Sequence, residues 1–489
     1  MALAFSGREC MEIYHDRSRA FWGRDTTFSR ATAPRAPCWE LLRLQQLRGA
    51  VLAAVECDAV AHGDVLVGVL EKERGSVRAL RHEGGAQTSQ TLQLESAAVL
   101  PRHAGFALAG AAAMARHGGD PLYVRDEPGR RVRVVGAASA LHIEQQLRRM
   151  ATGVVAAFCG TVEQDAFGTV FSISRIFPPG PAMSPHVRVS SSNSEVKSSR
   201  DALMFLSGLE FGDPQYSPRV LAMLVEYVRS SVARRERGSA QSLPPTRIRR
   251  VVIAGHSLAR SAYASTHQLH APSAAEAQLA AAHVREFDRF LCELCELVPV
   301  DLMPNGSSES ASLGLPQSSL SPLLFPRARL LRNFALKTNP YCFDLDSLRV
   351  CGTCGENVRD VQRCTGEPPL GTLDALELML TFRHLAPSSY PSVSATAAAT
   401  DVFVLEHTPN VLFTANMPDG FQTRIVECAA TGSGAMRRRN VEETRETDKE
   451  AETEPSFRCL LLGLPSFSLT QCSVLVDLEN LDTRVVEIV

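Results

Sequence analysis

The sequence predicts an α/β protein in which a small β-barrel precedes a layered sheet, and three observations carry that prediction. Short apolar runs closed by turn residues recur at Val251–Gly255, Leu297–Pro304, Arg349–Gly352 and Asn410–Asn416, as in buried strands that lead into loops. Stretches of helical period lie between and after them. Ahead of them, between Leu122 and Phe177, come shorter strands separated by turn signals. In layered sheets, ligands sit on the loops that follow strand ends. His256, residues 305–308, Thr353-Cys354-Gly355 and Asn416 are therefore expected to converge on one crevice.

Residues 1–37 mix Arg, Thr and Pro without apolar period, so a poorly ordered N-terminus is expected. Over 38–60, the spacing Trp39, Leu42, Leu44, Leu47, Val51, Leu52 and Val55 gives one face of a packing helix. A strand at Val65–Leu70 and a polar, Gly-containing loop at 75–90 follow. Further strands are predicted at Leu122–Val124, Arg131–Gly136, Gly153–Thr161 and Gly168–Ile176. Arg131-Val132-Arg133-Val134 alternates charged and apolar residues, as a half-buried strand does. The barrel domain is thus assigned to 61–180. Its aromatics Phe158, Phe167 and Phe171 are expected in its core rather than as base-stacking platforms.

The Pro- and Ser-rich segment 181–200, with SSSNSEVKSS at its centre, is expected to be a linker to a second domain over 201–489. That domain opens with a strand at Ala202–Leu206 and a helix at 218–234, followed by a loop over 235–245. A long helix covers 274–297 and carries Cys292-x-x-Cys295. With Cys351-x-x-Cys354 this pair invites a zinc reading, although buried free thiols explain both pairs as well. Leu373–Arg383 is a helix, and His384 after it is a candidate for a retained polar network in the crevice. Residues 427–455 form a mixed-charge run expected to be a disordered insertion. Strands at Phe457–Leu462 and Cys472–Leu478 complete the sheet.

An apolar content of 45% and a charged content of 21% are those of an ordinary folded protein, and 489 residues leave room for a sizeable core. A net charge of −2 gives no overall electrostatic footprint for nucleic acid. Thirteen cysteines, an odd and scattered set, suit reduced thiols better than a disulfide framework. Arg8 and Glu9 come too early for a secretory segment, and the apolar window 106–115 is too short to span a membrane. A soluble intracellular protein is expected.

Four segments carry a resemblance. LPQSSLSPLLFPRA (315–328), TNPYCFDLDSLRVCGTCGENVRDVQR (338–363), LTFRHLAP (380–387) and LPSFSLTQCSVLVDLENL (464–481) resemble, in the same order, the small B-subunits of DNA polymerase delta. These belong to the calcineurin-like phosphoesterase superfamily. The resemblance implies a phosphoesterase sandwich, here inactive, behind an OB-fold barrel. The PQSSLSP and CGENVRD wording favours the delta branch over the alpha and epsilon B-subunits.

Active members hold two cations about 3.5–4 Å apart with His, Asp and Asn ligands. In the blocks where the resemblance places those ligands, this sequence has Gly208 and Glu210, then His256 and Ala259, then Gly306 and Ser307, then Cys354, and finally Asn416 and Pro418. Only Glu210, His256 and Cys354 retain ligating atoms, and they do not make a hard-metal site. An active phosphoesterase or 3′–5′ exonuclease is thereby disfavoured, and so, by charge, is a stand-alone single-strand binder. The resemblance implies a nuclear, non-catalytic subunit that needs no cofactor. Its partners would be a polymerase catalytic subunit and a third, elongated accessory subunit, with DNA contacted only indirectly or weakly and no membrane involved.

Overall fold

A computed structural model describes residues 14–16, 39–58, 63–72, 121–127, 129–138, 140–165, 168–182, 200–213, 217–237, 246–259, 274–305, 314–346, 348–365, 368–388, 401–428, 436–439 and 457–488. Strand β1 (Tyr14–Asp16) comes first, followed by helix α1 (Trp39–Glu56). Then come β2 (Asp64–Lys72), β3 (Leu122–Arg125), β4 (Arg131–Gly136), helix α2 (Leu141–Arg149), β5 (Val155–Asp165) and β6 (Gly168–Phe177). Strands β2 to β6 close into a barrel in the order β2-β3-β4-β6-β5, sealed by the parallel pair β4 and β6. Phe158 and Phe171 lie in its core and show almost no surface. Phe167 and the loop expected at 75–90 fall outside the described residues. Helix α1 covers β2 and β5, packing Leu44, Leu47 and Val51 on Val69, Val155 and Ala157.

The rest of the chain builds two stacked sheets. Strands β7 (Arg200–Leu206), β8 (Thr246–Ala254) and β9 (Val300–Met303) run parallel, with helix α3 (Pro218–Arg237) between the first two and α4 (Ala274–Cys295) between the last two. Crossovers of this βαβ kind place strands under cover on both faces, which explains the unbroken apolar run of β8. Strand β10 (Phe334–Leu336) extends this sheet on one side. The second sheet contains β11 (Tyr341–Leu345), β12 (Leu348–Thr353), β13 (Val411–Met417), β14 (Gln422–Cys428), β15 (Met436–Arg439) and β16 (Phe457–Pro465), in the order β1-β11-β12-β13-β16-β14-β15. Its helices are α5 (Glu356–Cys364) and α6 (Thr372–Thr381). After the one-turn helix α7 (Phe467–Thr470), β17 (Cys472–Asp477) and β18 (Thr483–Glu487) return to complete the first sheet beside β7.

Between the sheets lies an apolar layer in which Phe205 meets Phe413 with ring centroids 5.0 Å apart. Helices α3 and α4 cover the outer face of the first sheet. On the outer face of the second, α5 and α6 share one continuous core with the barrel, from Leu70, Phe158 and Phe171 to Val361, Met379 and Leu461. The two halves are therefore not separable beads. Arg383 reinforces the joint. Its guanidinium donates to the carbonyls of Pro179 and Pro181 at 3.1 and 3.2 Å, and its Nε to that of Gly180 between them.

Several boundaries differ from the sequence reading. Strand β1 falls within 1–37, the stretch expected to be poorly ordered, and pairs antiparallel with β11, while the rest of that stretch lies outside the described residues. Pro181 and Ala182, within the expected linker, are buried, and the rest of that segment, 183–199, lies outside the described residues. Helix α3 continues to Arg237, inside the expected loop. The run expected to be a disordered insertion starts within β14, where Glu427 pairs with Arg458, and contains β15, which pairs antiparallel with β14. The rest of that run, 429–435 and 440–455, lies outside the described residues. The thiols are also not all reduced. Cys342 and Cys351 are direct cross-strand neighbours on β11 and β12 and are joined as a disulfide. Among the described residues, no helix is long and apolar enough to cross a membrane.

Candidate functional site

The loops after β7, β8, β9, β12 and β13 meet at one end of the two sheets. Strand β8 runs into Gly255 and His256, both left-handed at φ 69° and 52°, and β7 runs into Gly208 and Glu210 at φ 64° and 50°. The two loops keep pairing past the strand ends. The N–H of Gly208 donates to Gly255 O and that of Glu210 to His256 O, each at 3.0 Å. Phe211 N–H donates to Ser257 O at 2.8 Å, and Ala259 N–H returns to Phe211 O at 3.0 Å. Left-handed residues other than glycine cost roughly 1–3 kcal/mol each and tend to gather at functional sites. Asn416, near the end of β13, is a third such residue at φ 59°.

Asn416 ties the sheets together here. Its side-chain nitrogen donates to Ala254 O at 3.0 Å and Cys354 O at 3.2 Å, while its Oδ1 is buried without a hydrogen-bond partner. The Cys354 thiol donates to Pro304 O at 3.1 Å. A Cβ on Gly255 would lie 2.8 Å from Cys354 Sγ and 3.0 Å from Asn305 Cβ, so these loops are in close contact. Gly208, Glu210, His256, Asn305, Cys354 and Asn416 are thus brought together. Ala259 is buried, Pro418 is exposed just beyond β13, and Gly306 and Ser307 fall outside the described residues. Thr353 turns inward to Asn357 at 2.7 Å.

At the mouth, Ser468 donates its hydroxyl to Glu210 Oε2 at 2.9 Å, and His256 Nδ1 lies 4.0 Å from Glu210 Oε1. Burial pushes the Glu210 carboxyl above the usual range, against the pull of the Ser468 hydroxyl. This donor set does not fit a pair of hard cations, because Glu210 is the one carboxylate in it and the soft Cys354 thiol is engaged with the Pro304 carbonyl. Position 208 leaves no room for a carboxylate either, since a Cβ there would stand 2.1 Å from Ser466 Oγ. Among the described residues, no cluster of three or more His, Cys, Asp or Glu is placed to hold a metal ion. In particular, Cys351 is bonded to Cys342, and burial pushes the Cys295 thiol up to about 12.

His384 does not join the crevice residues. It is fully buried, and its Nε2 donates to Asp401 Oδ2 at 3.0 Å while its Nδ1 accepts the Ala386 N–H at 3.1 Å, which fixes a neutral imidazole. Burial, together with the nearby Arg43 cation, pushes His384 down to about 4. Arg43 comes from α1. Its Nε donates to Asp401 Oδ2 at 2.9 Å, and its Nη1 donates to Pro387 O at 2.8 Å and to Gly153 O. Burial alone would raise the Asp401 carboxyl, but the His384 and Arg43 contacts hold it below the usual range. The sequence carried one signal for Arg43: it lies four and eight residues before Leu47 and Val51, on the same inward face.

A family model that describes the B-type subunits of DNA polymerases alpha and epsilon matches residues 203–423. The chain is 30% identical over 313 residues to the rice DNA polymerase delta small subunit, covering 64% of this chain and 66% of the rice protein. It is 30% identical over 376 residues to the fruit-fly DNA polymerase delta subunit 2, covering 75% of this chain and 73% of that protein. A third relative, the Arabidopsis DNA polymerase delta small subunit, is 28% identical over 369 residues, covering 75% and 72% of the two chains.

Proposed function

The chain belongs to the DNA polymerase delta small-subunit family of replicative-polymerase accessory subunits, and from that premise we propose that it is a non-catalytic scaffold. In this reading, residues 61–180 are an OB-fold and residues 201–489 an inactive phosphoesterase sandwich. Gly208, Glu210, His256, Ala259, Gly306, Ser307, Cys354, Asn416 and Pro418 stand in the vacated ligand positions. The two halves together hold the C-terminal module of the polymerase catalytic subunit, and a third, elongated accessory subunit docks on the same protein. The complex works in the nucleus, in DNA replication and repair synthesis. DNA is reached through the partners, consistent with buried rings at Phe158 and Phe171 and a net charge of −2.

One observation carries the reading. The crevice is closed by the protein's own atoms, with Asn416 bonded to Ala254 and Cys354 and with Ser466 standing where a carboxylate at 208 would need to be. A site stapled in this way holds shape instead of doing chemistry. The shared core also supports a partner surface that draws on both halves, because neither half keeps its apolar face covered alone.

The test uses the full chain co-expressed with the C-terminal module of the catalytic subunit. Co-purification at equal stoichiometry is expected, with no bound manganese and no hydrolysis of a phosphodiester substrate when manganese is added. His256→Asp should leave co-purification intact. Manganese-dependent hydrolysis that disappears in His256→Ala would overturn the non-catalytic part, and failure to co-purify would overturn the scaffold part.

A further inference from the structure

On the outer side of the first sheet, across both sheets from the barrel, residues 321–332 form a ledge on helix α4. Two one-turn 3-10 helices, Pro322–Leu324 and Ala328–Leu330, shape it. Over 323–331 two leucines face inward and two outward. Leu324 and Leu331 pack on the core, while Leu323 and Leu330 are each 77% exposed. Side chains of that size are rarely left so open in pairs within one short segment, and exposed apolar patches rimmed by charge mark interaction sites. Arg327, Arg329 and Arg332 are exposed around the two leucines, and none of them forms an ion pair among the described residues.

The ledge is also held rigidly. Phe325 is fully buried beneath it, with ring centroids 5.7 Å from Phe287 and 5.6 Å from Phe334. The buried carboxylate of Asp288 accepts the N–H groups of Arg327 at 3.2 Å and Ala328 at 3.0 Å, so the turn that presents the arginines cannot swing. Leu330 N–H donates to Arg327 O at 3.1 Å and closes the second turn. A surface fixed in advance loses little freedom when a partner arrives, and the gain appears as affinity.

We propose that this ledge is a docking site for an acidic peptide segment of a partner protein that carries aliphatic or aromatic anchors. The leucines take the anchors and the three arginines take carboxylates, for which their planar forks are suited. A phosphate backbone would satisfy the arginines but would leave both leucines in water, which is why the peptide is favoured over nucleic acid. The ledge lies on the face away from the barrel, so its occupant is compatible with a partner that spans both halves. The proposal does not depend on the crevice being inactive.

The test is selection of random short peptides displayed on phage against the immobilised full chain, with two surface variants run in parallel. These are Leu323→Ser/Leu330→Ser and Arg327→Glu/Arg329→Glu/Arg332→Glu. Unchanged melting temperatures check that both fold, as side chains this exposed should allow. A synthetic peptide from the enriched clones and a single-stranded oligonucleotide are then titrated against all three proteins. The expected result is a set of clones rich in Asp and Glu with Leu or Phe anchors, whose affinity falls at least about tenfold in each variant. The proposal is overturned if no enriched clone depends on the leucines, or if the dependent clones are neutral or basic. It is equally overturned if the arginine variant loses the oligonucleotide while keeping the peptide.

Discussion

Replacing Arg43 with Met keeps the length of the side chain and removes its charge. Arg43 is 2% exposed and Asp401 1%, so the substitution leaves a buried carboxylate without its cation and two carbonyls, of Gly153 and Pro387, without a donor. Breaking one side of a buried pair costs about 3–5 kcal/mol. The second consequence lies in the pH dependence. In the native protein His384 is held at about 4, against 6.5 when unfolded. The unfolded chain therefore binds more protons between those values, and stability falls as pH drops from 6.5 towards 4. At 1.36 kcal/mol per tenfold change, the loss approaches about 3 kcal/mol. In Arg43→Met the imidazolium can take over as the counter-ion of Asp401, giving up the Ala386 contact, so its pKa rises. The deficit of the variant should then shrink by at least about 1 kcal/mol between pH 7.5 and pH 5.5. Urea midpoints of both proteins at the two pH values measure it. A deficit below about 1 kcal/mol at pH 7.5, or one that stays constant with pH, would refute the reasoning.

Gly153→Ala should destabilise by more than the roughly 1–3 kcal/mol of a left-handed residue alone, because at φ 84° its Cβ would lie 1.9 Å from Pro387 O. Thermal denaturation reads this, and a shift within that range would show that the joint between the halves gives way easily. Phe413→Ala, at a fully buried ring between the sheets, should cost about 3–5 kcal/mol in chemical denaturation. Tyr341→Phe removes the 2.8 Å hydrogen bond to Asp301 but leaves Arg250 at 3.0 Å, so a loss of about 1–3 kcal/mol is expected. A neutral result there would mean that Arg250, with Lys337 Nζ at 3.8 Å, satisfies the carboxylate without the tyrosine.

The elements that could be read from the sequence are those whose side chains all tell one story. Val251–Ala254 is apolar throughout because β8 is covered on both faces, and α3, α4 and α6 repeat at helical period because each covers a sheet. Helix α5 has no clear apolar period because its buried face carries Asn357 and Asp360 as well as Val358 and Val361. Strand β15, Met-Arg-Arg-Arg, reads locally as part of a mixed-charge run, since its pairing with β14 lies outside any local pattern. The partner of β1 is more than three hundred residues away, and the disulfide depends on β11, a strand that the sequence reading did not separate. Around the crevice the glycines and turn residues pointed to strand ends. What fills the space did not show, because Ser466 meets Gly208 across 258 residues of chain.

Pro178-Pro179-Gly180-Pro181 looks in the sequence like filler, and the grip of Arg383 gives it another meaning. Prolines have no N–H, so Pro179 and Pro181 offer acceptors with no donors beside them, on a backbone whose φ angles the rings already fix. One guanidinium takes hold of three successive carbonyls in this rack. Such a grip reads the path of the chain and not its side chains. To the packed core that the two halves share, the joint therefore adds a single fork that holds one short, stiff segment. Lysine could not serve, because a lone ammonium has no planar fan of donors to spread over three oxygens.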